Sequence, residues 1–114
     1  MRKQMIENAA YEVAAQVRTV EESIETALAE LAELQSRMLH ARAATGVGFA
    51  KSHAAFEQLA ETTTKLVAAR GGIANCHVAL AETKQFVPGL RTVGFGDADE
   101  CPPTKGVAPL RVVA

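Results

Sequence analysis

The sequence predicts an all-α protein: a long antiparallel two-helix hairpin, coiled-coil-like, that assembles into a four-helix bundle as a dimer and carries an extended C-terminal tail. Three observations lead there. The front of the chain holds an unbroken apolar series, Ile6, Ala10, Val13, Val17, Val20, Ile24, Ala27, Leu31, Leu34, Met38 and Ala41. Its alternating steps of four and three average about 3.5 residues, which keeps one seam turned toward a partner helix along a supercoil. A second stripe, Leu59, Leu66, Ile73, Leu80 and Val87, recurs every seventh residue, and Thr45-Gly46-Val47-Gly48 supplies a corner between the two.

The first helix is expected from about residue 4 to about residue 44. Glu33 and Arg37 form an acid-before-base pair four residues apart, and Arg37, His40 and Arg42 place basic groups near the end where the helix dipole favours them. Glu21, Glu22, Glu25, Glu30 and Glu33 fall off the seam and read as a solvated face. Gly46 and Gly48 follow the last seam residue, and glycine readily adopts the left-handed backbone that closes a helix.

The second helix is expected from about residue 49 to residue 87, ended by Pro88-Gly89. Between its large stripe residues lie Thr62, Ala69, Cys76 and Thr83, so large and small alternate and two antiparallel axes can approach closely. Helices of matched length joined by a glycine corner make an αα-hairpin over residues 1–87. The packing interface assigned from these stripes is Val17, Val20, Ile24, Leu31 and Leu34 against Leu59, Leu66, Ile73 and Leu80.

Gly71-Gly72 fits this helix least well, because two interior glycines cost roughly 2 kcal/mol relative to alanine. Folding about the corner sets the pair opposite Ser23, so the expectation is a close approach of backbones there. The alternative is a break that turns the hairpin into a three-helix bundle.

Both helices carry more apolar surface than a single partner helix covers. Leu28 and Leu39 beside the first seam, with Phe56 and Val67 beside the second, form the candidate surface for a second copy or another protein. After the hairpin, residues 88–114 lose helical period and gain Pro and Gly. Leu110, Val112 and Val113 near the end are candidate tail-docking residues.

Composition narrows the function classes. The chain has 114 residues, enough for one small domain, and a net charge of −1 that offers no field for nucleic acid or anionic lipid. Aromatics are 4% against 48% hydrophobic residues, which favours closely packed helices over a cavity-bearing interior. Glu7, Asn8 and Glu12 interrupt any signal-peptide apolar region, and no stretch approaches the roughly 18 apolar residues of a membrane span. Neither nucleic acid nor membrane is expected as a partner. Cys76 and Cys101 lack a metal-type spacing and read as reduced thiols.

Catalytic and metal constellations are thin. Folding about the corner brings His40 and His53 to mirrored positions, a conceivable half-site, yet zinc needs at least three protein ligands and none is placed to complete the set. Cys76 and His77 are adjacent and point about 100° apart on a helix, so they do not form a thiolate–imidazole pair. Gly46-Val47-Gly48 and Gly94-Phe95-Gly96 lack the context of a phosphate loop. No enzymatic activity and no cofactor are expected.

Ala68-Ala69-Arg70-Gly71-Gly72 and Gly89-Leu90-Arg91-Thr92-Val93-Gly94, with the alanine-rich first helix and the glycine corner, resemble small helical proteins of bacterial prophage clusters. The resemblance covers residues 65 to 95 and implies a phage-associated setting, without an activity or a functional residue. In length and topology the chain is also similar to the WXG-type secreted hairpins, although Gly46-Val47-Gly48 stands where those carry a tryptophan turn. The resulting expectation is a non-enzymatic interaction or structural protein that self-associates, as a dimer, and docks a protein partner. Its setting would be cytoplasmic, or virion-associated if phage-encoded. Alternatives are a secreted WXG-like hairpin, a partner-binding adaptor, or a metal sensor using His40 and His53.

Overall fold

The computed structural model describes residues 2–90. Helix α1 spans Arg2–Thr45 and helix α2 spans Phe49–Thr83, followed by one 3-10 turn at Lys84–Phe86. The all-α class is borne out, with no strand among the described residues. The predicted tail, including Cys101, Leu110, Val112 and Val113, lies outside the described residues. The described chain divides into two compact units, one of Val20–Ile73 around the corner and one combining α1 up to Thr19 with residues 74–90. Each helix runs unbroken through the division.

In the corner unit, α1 ends because Gly46 takes the left-handed conformation, φ 74°, while its N–H donates to the Arg42 carbonyl at 3.0 Å. Arg42 Nη1 then donates to the Val47 carbonyl at 3.2 Å, tying the end of α1 to the corner. At the start of α2 the Ser52 N–H and hydroxyl both donate to the Gly48 carbonyl, each at 3.1 Å. Ile24, Leu28, Leu31 and Met38 of α1 are half-buried, as are Phe56, Thr63, Leu66 and Ile73 of α2. Leu59 is buried, at 8% exposure.

The contact differs from the expected seam in which margin faces inward. Leu34, expected in the interface, stays 46% exposed, whereas Leu28 and Phe56, expected on the outer surface, are half-buried. The apolar arc of α1 is wider than the stripe of roughly 100° that a helix turns to one partner, so one margin must be left out. The covered residues of α2 in this unit include Phe56, Leu59 and Thr63.

Gly71-Gly72 also departs from both expectations. The helix does not break, and no backbone comes near, since a Cβ built on either glycine would meet nothing within 4 Å. Both glycines are exposed, as is Ser23; Ile73 next to them carries the contact. Outward placement removes any packing reason for glycine.

In the other unit, Ile6, Ala10, Ala14 and Val17 of α1 are half-buried, as are His77, Ala81, Lys84 and Val87 from the chain after Ala74. Val13 and Leu80 remain partly open, at 47% and 38% exposure. Helix α2 was expected to reach residue 87 but stops at Thr83, where the chain tightens into the 3-10 turn. Pro88 imposes extended backbone on the residue before it, and Val87 has φ −109° and ψ 119°. Val87-Pro88-Gly89-Leu90 is then a type II turn, with Gly89 at φ 90° and the Leu90 N–H donating to the Val87 carbonyl at 3.1 Å. The turn returns Leu90 to the interior, where it is 4% exposed.

Leu59 and Leu90 are the only buried apolar side chains among the described residues. Elsewhere the surface carries helix-borne ion pairs, Glu33–Arg37 at 3.0 Å as expected and Glu61–Lys65 at 3.6 Å, which add a few tenths of a kcal/mol each.

Candidate functional site

The unit formed by residues 2–19 and 74–90 holds an apolar cleft of about 360 Å³. Helix α1 supplies Ile6, Ala10 and Val17 from its contact stripe, and Ala9 and Val13 on one lip. The chain after Ala74 supplies Leu80, Ala81 and Val87, and Leu90 lines the cleft where the type II turn brings it back. Both walls mix small and large side chains, with Ala9, Ala10 and Ala14 beside Ile6, Val13 and Val17 on α1 and Ala81 beside Leu80, Val87 and Leu90 opposite. Ala9 is exposed beside half-buried Ala10, so this lip faces outward from the helix contact.

Polar groups enter the lining at His77, Thr83 and Lys84. The Thr83 hydroxyl is engaged with the carbonyl of Ala79 at 2.8 Å, leaving its methyl as the cheaper group to bury. The walls of the cleft are otherwise hydrocarbon among the described residues.

No family model, curated protein or solved structure matches the chain.

Of the interface residues taken from the sequence, Val17, Val20, Ile24, Leu31, Leu66 and Ile73 are half-buried and Leu59 is buried, while Leu34 and Leu80 are exposed. Leu80 lines the cleft. Of the candidate partner surface, Leu39 and Val67 are 51% and 53% exposed, and Leu28 and Phe56 turn inward. Sequence reasoning missed Ala9, His77, Lys84 and Leu90. For Leu90 the signal was present, since Pro-Gly at the two central positions of a type II turn sends the next residue back toward the helix it left.

His40 and His53 are both exposed. His53 stacks on Phe49 with ring centroids 6.5 Å apart and approaches Glu57 at 3.8 Å, contacts confined to the first turns of α2. Among the described residues no group of three or more His, Cys, Asp or Glu side chains is placed to hold a metal ion. Cys76 is an exposed free thiol. No described helix is long and apolar enough to cross a membrane.

Proposed function

We propose that this chain is a non-enzymatic helical-hairpin interaction protein that self-associates and, in the assembled form, docks a protein partner. The observation that carries the reading is the mismatch between apolar content and burial. Two side chains are buried among the described residues, while Val13, Leu34, Leu39, Val67, Val78 and Leu80 are each more than one third exposed. A chain this small gains most of its stability from covered apolar area, and helices with wide apolar arcs acquire it by packing on further helices. A dimer of hairpins forming four-helix layers is the economical closed arrangement.

The resemblance of residues 65 to 95 to prophage-cluster proteins supports a phage structural or accessory role, in the cytoplasm or on a virion. Light scattering on size-exclusion fractions tests the self-association. A mass near twice 12.1 kDa at micromolar concentration, falling on dilution, is expected. A mass of 12.1 kDa at every concentration removes the proposal.

A further inference from the structure

We propose that the corner between α1 and α2 docks on an anionic lipid surface, with Val47 and Phe49 entering the bilayer interface and Arg42 and Lys51 meeting lipid phosphates. The proposal goes beyond self-association and needs only the corner unit of one chain.

Charge is unevenly spread along the sequence. The net charge of −1 speaks against an anionic partner for the molecule as a whole, yet residues 34–56 hold Arg37, Arg42 and Lys51 and no Asp or Glu. Arg37 is paired with Glu33 and His53 approaches Glu57, so the basic charge left over belongs to Arg42 and Lys51. Both lie within one helical turn of the corner, Arg42 before the end of α1 at Thr45 and Lys51 after the start of α2 at Phe49. The nearest carboxylates on the two helices, Glu57 and Glu33, stand about 12 Å and about 18 Å along the axes from those ends, beyond the Debye length of about 8 Å at physiological salt. A surface touching the corner meets cations without carboxylates.

The same corner exposes apolar side chains. Residues 43–51 are exposed without interruption, with Phe49 at 78% and Val47 at 43%. Its polar groups are largely occupied inside the chain. The Gly46 N–H donates to Arg42, the Val47 carbonyl accepts from Arg42, the Gly48 carbonyl accepts from Ser52, and the Thr45 hydroxyl donates to the Ala41 carbonyl at 2.8 Å. Hydrogen bonds already made lower the cost of moving these groups out of water.

These features are layered as a bilayer interface is. Apolar side chains stand at the tip and cations one turn behind, which matches the boundary of acyl chains overlain by phosphates and a burial depth of about 5–10 Å for interfacial segments. A nucleic-acid duplex or an acidic peptide supplies the negative charge without the apolar layer that Phe49 and Val47 require. Docking of this kind needs no membrane-crossing helix.

Flotation of the full chain with phosphatidylcholine vesicles containing about 40 mol% phosphatidylglycerol, against phosphatidylcholine alone, tests the proposal, with helicity followed by circular dichroism. Binding is expected to be at least about tenfold tighter to the anionic vesicles, and to weaken at least about tenfold with Phe49→Ser and about fivefold with Lys51→Gln. Phe86→Ser removes a ring that is 85% exposed in the other unit and should change binding less than about twofold. No binding to anionic vesicles, or binding indifferent to Phe49→Ser, overturns the proposal. Tighter binding to a DNA duplex or to polyglutamate than to the vesicles assigns the corner to another polyanion and overturns it as well.

The chain contains no tryptophan, so Phe49→Trp places a single indole at the tip. Its emission is expected to shift to the blue on anionic vesicles, while that of Phe86→Trp stays at its solution wavelength. An unshifted indole at position 49 overturns the proposal even where a serine variant fails to fold.

Discussion

Arg70 Nε donates to Glu25 Oε2, joining α2 to α1 between residues 45 positions apart in sequence. The pair marks the antiparallel register of the corner unit, because residues 25 and 70 are equidistant from the Val47–Gly48 corner. Both side chains are more than half exposed, 57% for Glu25 and 59% for Arg70, so water screens the interaction. A double-mutant cycle with Glu25→Ala and Arg70→Ala, read by urea unfolding, is expected to give a coupling of about 0.2–1 kcal/mol that shrinks in about 1 M salt. A salt-independent coupling of several kcal/mol would contradict the exposed geometry.

Gly71 and Gly72 sit in a continuous helix with open space where a Cβ would stand. Alanine there costs no clash and restricts the unfolded chain, so Gly71→Ala and Gly72→Ala are each expected to stabilise the protein by about 0.5–1 kcal/mol. Thermal unfolding followed at the helical band checks it. Destabilisation by either variant would show that the glycines serve a conformation other than an unbroken α2.

Gly46 and Gly89 are the opposite case. Both have left-handed backbone, φ 74° and 90°, where a side chain is strained whatever space surrounds it. Gly89→Ala is expected to cost about 1–2 kcal/mol. Leu90→Ala, at a position 4% exposed, is expected to cost about 2–3 kcal/mol from lost burial and the space left behind. Because Gly89 acts by delivering Leu90, the two losses should be less than additive, and denaturant titration of the double variant measures this.

The fold class was legible because periodicity, glycine corner and Pro-Gly stop all point to one arrangement. The inward margin of each helix was not. Rows such as Ala27–Leu34 and Leu28–Gln35 differ by one residue, flank the same central row of Ile24, Leu31 and Met38, and are equally compatible with a 3.5-residue repeat. Counting apolar residues favours the row with Val13 and Leu34 on α1 and the row with Ala69 and Cys76 on α2. The contact keeps Ile6, Val20 and Ala27 of the first row but also takes in Ala14, Glu21, Leu28 and Arg42 with Thr63, His77 and Lys84, all half-buried. Long polar side chains pass as surface in a sequence, yet their aliphatic stems cover a neighbouring helix while their heads reach water. The cleft was hidden for the same reason, since it opens along the rows that the sequence places at the centre of the hairpin.

Leu28 and Leu34 therefore separate two ways of packing one helix. If the apolar ladder alone decided the seam, Leu34 would carry the contact and Leu28 would be incidental. Leu34 is instead 46% exposed and Leu28 half-buried beside α2. Leu28→Ala removes methyl groups from a formed contact and is expected to cost about 1.5–2.5 kcal/mol; Leu34→Ala should cost less than about 1 kcal/mol. The comparison belongs at dilutions where the chain is monomeric, because a second copy would cover exposed apolar positions and mask the difference. Equal losses at such dilution would mean that both margins are covered within a single chain, and the open apolar surface on which self-association rests would not exist.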